Sequence, residues 1–216
     1  MQNELVVRPA CDGDVGLFAG VLRDVDLREI TATSLATPEA AIVRCLAASD
    51  RTWVGFLDGE PMFVSGISRA NFMSARRAPW LLGTPLIDTR PRPFLRYTRA
   101  AMPGLLAAYP WMENHIDARS TRTIAWLRWL GFVIHEAKPY GALGRPFHKF
   151  SIGAPTNAPI RVPPTGDVPA KAVRDFPDGE QRNAHLGEMP EVRQGNGAVG
   201  SAKRPRSSRR LRPANV

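Results

Sequence analysis

Three arginines within seven residues, Arg90, Arg92 and Arg96 in "LIDTRPRPFLRY" (86–97), form the group best suited to hold an anion. Guanidinium forks can grip phosphate oxygens in pairs. The backbone of the same stretch cannot, because it contains no glycine and Pro91 and Pro93 remove two N–H donors. His115 and Asp117 alternate with Ile116 in a strand-like run and would share a face, where a histidine can move protons. A lone histidine on a strand is more often a hydrogen-bonded structural group. "LRDVDLREI" gathers Asp24, Asp26, Arg28 and Glu29, but carboxylates two apart do not share a helix face, whereas Asp24 and Arg28 can pair at i,i+4. That segment reads as a solvated helix face and not as a metal site. The four histidines (115, 135, 148 and 185) have no metal-ligand spacing, and Cys11 and Cys45 stand in no CxxC or Cys/His cluster. The two thiols are expected to be buried and reduced. "GNGAVGS" (195–201) follows no strand and opens no helix, so it is not a phosphate loop. No catalytic residue and no metal ligand is assigned from residue types alone.

The elements that must position these groups follow from periodicity and punctuation. "ELVVRPA" (4–10) is a β-branched strand, and Asp12 and Asp14 precede a helical period at Val15, Phe18, Val21 and Leu22. Thr37, Pro38 and Glu39 open a second helix over "TPEAAIVRCLAAS". Asp58-Gly59 between two apolar runs predicts a tight hairpin. "APWLLGTPLI" (78–87) reads as a third strand with Gly83 a bulge, and "FLRYTRAAMPGLLAAY" as a helix kinked or shortened at Pro103. "MENHIDA" is a strand. Ser120 or Thr121 caps the helix of "STRTIAWLRWLGF" (120–132), Gly131 closes it, and "FVIHEA" and "RPFHKFSI" form the last two strands across "KPYGALG". Trp126 and Trp129, three apart, form a stripe that is read as core.

All five tryptophans and eight of nine phenylalanines precede residue 151, so one core is expected there. The domain boundaries are read as 1–154 for the folded part and 155–216 for an extended tail. From Pro155 onward Phe176 is the only aromatic and nine of the twenty prolines occur. Such a segment cannot offset roughly 1–2 kcal/mol of backbone entropy per residue by burying apolar surface. Its end holds Lys203, Arg204, Arg206, Arg209, Arg210 and Arg212 without one acidic residue, within a chain of formal charge +9. A basic arm suits an acidic protein surface, a nonspecific DNA contact or anionic lipid. No run approaches 18 apolar residues, so no membrane span or secretion signal is expected.

The order β-α-α-β-β-β-α-β-α-β-β, together with "STRTIAWLRWLGF", resembles the GNAT N-acetyltransferase superfamily, whose penultimate helix often reads N-x-x-A-I-x-L-Y-x-x-L-G-F. Ile124, Leu130, Gly131 and Phe132 match it. The resemblance implies an α+β fold, a mixed central sheet flanked by helices, followed here by the Pro/Arg-rich tail. It also marks three departures. The family's R/Q-x-x-G-x-G/A pyrophosphate loop falls on "LIDTRPRPFLRY", the family's thiolate-protonating tyrosine falls on Leu127, and "WLLGTPLI" offers no carboxylate before Asp88. Tyr140 lies in a later loop. Within the superfamily, "LRDVDLREI", "APWLLGT", "YPWMENHID", "IAWLRWLGF" and "YGALGRPFHKF" are similar to the GNAT-like "internal virion protein A" type of T7-like podophages. That likeness implies a non-catalytic structural or assembly protein of a phage particle, present in several copies, made in the host cytoplasm and virion-associated. It would dock through its tail to head-to-tail connector or tail proteins and need no cofactor. The alternative is a phage-encoded acyl-CoA-dependent N-acetyltransferase with an atypical cofactor loop, in which Arg90, Arg92 and Arg96 hold acetyl-CoA.

Overall fold

The structure is a computed structural model that describes residues 4–69 and 76–154. The tail expectations, including the six basic residues from Lys203 to Arg212, lie outside the described residues. The elements are β1 (Leu5–Pro9), a 3-10 turn at Asp12–Asp14, α1 (Val15–Ala19), α2 (Asp24–Ser34), α3 (Pro38–Ala47), β2 (Ser49–Leu57), β3 (Glu60–Arg69) and β4 (Arg77–Gly83). There follow α4 (Leu86–Thr89), α5 (Pro91–Ala108), β5 (Trp111–Asp117), α6 (Thr121–Leu130), β6 (Val133–Tyr140) and β7 (Arg145–Gly153). The strands form one mixed sheet in the order β1-β2-β3-β4-β5-β7-β6, giving the expected α+β class.

Local signals account for most boundaries. The Thr37 hydroxyl accepts from the Ala40 amide at 3.2 Å to cap α3, with Pro38 at the first helical position. Asp58 and Gly59 take the positive φ angles (52° and 87°) of the β2–β3 hairpin. Gly131 takes φ 99° at the end of α6, and the amides of Gly131 and Phe132 close on Arg128 and Leu127.

Four local expectations are corrected. The first helical region breaks at Gly20 into α1 and α2. The third strand ends at Gly83 with regular pairing to Phe63, so there is no bulge there, and Leu86–Thr89 turns into α4. Gly83 is small for another reason: a Cβ there would overlap Ile87 Cδ1 and crowd the Arg23 guanidinium. Pro103 sits inside an unbroken α5, on its exposed side, where the Arg99 carbonyl left without an amide partner can face water. Cys11 is exposed, and only Cys45 is part-buried.

Side-chain alternation divides the core into two layers. On one face Phe18, Ile30, Ala41 and Ile42 of the α1–α3 region pack against Val54 and Val64. On the other, Met102, Ile116, Ile124, Leu127 and Leu130 pack between α5, α6 and β5, continuous with Phe63 and Phe94. Each of the larger of these, the Val, Ile, Leu, Met and Phe side chains, is worth about 1.5–3 kcal/mol when fully buried. Among the described residues β4 and β5 are the one parallel pair, and only Arg77 and Met112 are in register. Beyond that point the strands diverge, and the sheet splits.

The tip of the β6–β7 hairpin braces α2. The amides of Ala142 and Leu143 donate to the Thr33 and Ala32 carbonyls at 3.1 Å, satisfying acceptors that end the helix. Gly141 makes this approach with φ 73°, and a Cβ would lie 2.6 Å from the Ala32 oxygen and the Thr33 Cα. Gly141→Ala is therefore expected to cost about 2 kcal/mol or more. Thermal unfolding should show it as a drop in Tm, and an unchanged Tm would refute the bracing role.

Candidate functional site

The widening gap between β4 and β5 is bridged by a single turn of α2. Asp26 accepts the Gly83 amide at 3.0 Å, while the Arg23 amide donates to the Gly83 carbonyl at 2.9 Å, so the free edge of β4 is held at its last residue. One turn on, the Glu29 carboxyl lies near the backbone amide of Asp117, the last residue of β5, close enough to be favoured by it when charged. The Ala118 amide donates to Pro146 on the β7 side, which leaves the Asp117 amide pointing into the gap. Lower in the split, Asn114 Nδ2 crosses to the Pro79 carbonyl at 3.0 Å.

These carboxyls are not the solvated helix face expected from sequence. Asp26 is buried, with its two oxygens on the Arg23 guanidinium at 2.8 and 3.1 Å. Burial nevertheless outweighs Arg23 and holds the Asp26 carboxyl above its ordinary range. Glu29 is raised from 4.5 to about 8. Burial is the main cause, the charges of Asp26 and Asp117 add to it, and the Asp117 amide and Arg23 oppose it. Asp117 itself is held below the usual carboxylate range, chiefly by its hydrogen bonds from Arg119. Among the described residues no ion pair joins Asp24 to Arg28.

A cavity of about 700 Å³ passes through the split and opens to both layers. Its α2–α3 side presents Glu29, Cys45, His115 and Tyr140. Burial lowers the His115 pKa, so the ring is neutral at neutral pH. It stacks on Tyr140 at 3.9 Å between centroids, which places Tyr140 at the end of β6 and not in a loop. The α5–α6 side presents Tyr97, whose phenol burial pushes up to about 12. Leu127 lines this wall as a buried core residue. Trp126 also faces the cavity, with its indole N–H 3.3 Å from Thr98 Oγ1, whereas Trp129 is 49% exposed with Arg99 over its ring. The two tryptophans do not form one buried stripe.

The arginines of the β4–α5 turn stand apart from this cavity. Arg90 pairs with Asp58 at 2.6 Å, and Arg92 and Arg96 are exposed on α5; none of the three lines the cavity. Asp88 and Arg122 line it instead, 3.6 Å apart. The amides from Gly83 to Arg90 are already committed. Gly83 donates to Asp26, Thr84 to Met62, Leu86 to the Thr84 hydroxyl, Ile87 to Thr84, Asp88 and Thr89 to Pro85, and Arg90 to Leu86. Pro85, Pro91 and Pro93 have no N–H to offer. A coenzyme A diphosphate, which needs bare amides at a helix N-terminus, does not fit the backbone of this turn. No group of three or more metal-ligating side chains occurs among the described residues, and no described helix is long and apolar enough to cross a membrane.

No family model matches the chain, and no curated protein matches its sequence. Solved structures do match its shape. A chimera of Vibrio cholerae spermidine N-acetyltransferase and hSSAT superposes with a TM-score of 0.53 at 11% identity, over 69% of this chain and 95% of that one. Ribosomal-protein-S5-alanine acetyltransferase from Vibrio fischeri gives 0.53 at 15%, over 74% and 98%. A GCN5-related N-acetyltransferase from Kribbella flavida gives 0.52 at 17%, over 69% and 98%. The chain has a GNAT fold. At these identities the likeness carries the architecture alone. Sequence reasoning missed Asp26 and Glu29 because it compared carboxylates two apart. The signal was the i,i+3 spacing, which sets both on one helical face above the split.

Proposed function

We propose that the chain is an N-acyltransferase that works in the β4–β5 split, with an acyl-thioester donor held by side chains in place of a backbone cradle. The observation that supports it is the Glu29 carboxyl, poised near pH 8 where a cavity joins the two layers of the fold. An amine must lose a proton before it can attack a carbonyl, and a base with this pKa can take one near neutrality. Glu29 would remove that proton on the α2 side, which the His115 ring stacked on Tyr140 also lines. On the α5 side the Tyr97 phenol keeps its proton at ordinary pH and is the hydroxyl available to a departing anion. That structural neighbours such as the spermidine and ribosomal-protein-S5-alanine enzymes are acetyltransferases agrees with this reading.

A second reading is favoured by the committed amides and by leucine at position 127. It is the non-catalytic phage structural or assembly module, docked through the basic tail. Thermal shift separates the two. For the acyltransferase, acetyl-CoA should raise Tm by roughly 5 °C at a hundredfold excess over Kd. Arg92→Ala should abolish the rise if α5 side chains hold the donor phosphates. No shift with acetyl-CoA, together with incorporation of the full chain but not of residues 1–154 into particles, would select the structural role.

A further inference from the structure

We infer that the part of the cavity beneath α5 and α6 is a chamber for an unbranched, medium-length acyl chain, so that the group transferred is a fatty acyl group and not acetyl. This rests on the acyltransferase reading and specifies its donor. The two sides of the cavity together enclose about 700 Å³, a volume in the range that buries a drug-sized ligand, and a two-carbon acetyl group would fill little of the α5–α6 side. Much of the lining is apolar. Trp53, Leu81, Leu105 and Trp126 pack on the buried clusters yet remain only partly buried, because each turns a face to the cavity. The charged lining on the α5–α6 side includes the Asp88 and Arg122 pair, 3.6 Å apart. Two small residues face this space from opposite walls, Ala101 on α5 and Ser65 on β3. Both are partly exposed despite lying mid-element. A straight alkyl chain suits such a space, because it buries apolar surface along its whole length and asks for no hydrogen bond.

The probes are acetate, hexanoate, decanoate and tetradecanoate, titrated into the full chain while the fluorescence of Trp53 and Trp126 is followed, with calorimetry as a second readout. Affinity should rise about three- to fourfold per added methylene until the chamber is full, then level off. Ala101→Phe and, independently, Ser65→Phe should weaken decanoate at least tenfold while acetate is unaffected and Tm stays within a few degrees. Two plugs on different elements guard against one failing to fold. Affinity that does not depend on chain length, or decanoate binding that both plugs leave intact, overturns the chamber. Acetyl transfer without any chain-length dependence removes the chamber and leaves the acyltransferase reading standing. Length-dependent binding without acyl transfer from any thioester upholds the site and removes that reading.

Discussion

Glu29→Gln should reduce acyl transfer at least a hundredfold and, in the same protein, raise stability at pH 8. The two effects have one origin. Removing a positioned general base typically costs 10²- to 10⁴-fold, and glutamine keeps the shape and the ability to accept from the Asp117 amide while losing basicity. The stability effect follows from linkage. In the unfolded chain this carboxyl releases its proton near 4.5, whereas in the fold it holds it to about 8. Between those values the native state binds more protons than the unfolded state, so stability falls as pH rises through the window. The groups facing Glu29 are Asp26, Asp117 and Arg23, and none of them reverses that sign. Wild type should lose stability between pH 4.5 and 8, and the glutamine variant should lose less and be the more stable of the two above pH 8. Urea unfolding across that range reads it directly. Equal activity, or parallel stability profiles, would dismiss Glu29 as the base.

The second large effect is structural. Arg23→Met should destabilise the chain by about 3–5 kcal/mol, the cost of leaving a buried carboxyl without its cation. Arg23 does three things at once. Its guanidinium binds both oxygens of Asp26, it reaches Asp88 at 3.9 Å, and its backbone amide holds the last carbonyl of β4. The double variant Arg23→Met, Asp26→Leu should recover most of the loss, because replacing a buried pair by apolar groups is often neutral. It should still impair the site, since the Gly83 amide loses its acceptor and the end of β4 is freed. Recovery of stability with full activity would show that the α2 turn does not position the split.

Much of the fold is legible in the sequence because its signals are local. Thr37-Pro38, Asp58-Gly59 and the Gly131 terminus each specify backbone geometry within a few residues, and each is found as expected. What is misread involves partners far along the chain. Gly83 is explained by Ile87 and Arg23 instead of by a bulge, and Gly141 by the end of α2, a hundred or so residues away. Pro103 is tolerated because its side of α5 faces water, which periodicity alone did not decide. The site was only half legible. The arginines and prolines of 90–96 announce a glycine-free turn short of N–H donors, but no reading of that segment reveals α4, which takes up the amides from Ile87 to Arg90. Glu29 looks like any exposed helix charge until the diverging ends of β4 and β5 are placed beneath it.

The central claim is that a proton-holding carboxyl sits in the split, and its titration tests this most directly. In protein labelled at glutamate side-chain carbons, the Glu29 resonance, assigned by its absence from the Glu29→Gln variant, should titrate with a midpoint near 8. A midpoint near 4.5 would place Glu29 in water and contradict the account.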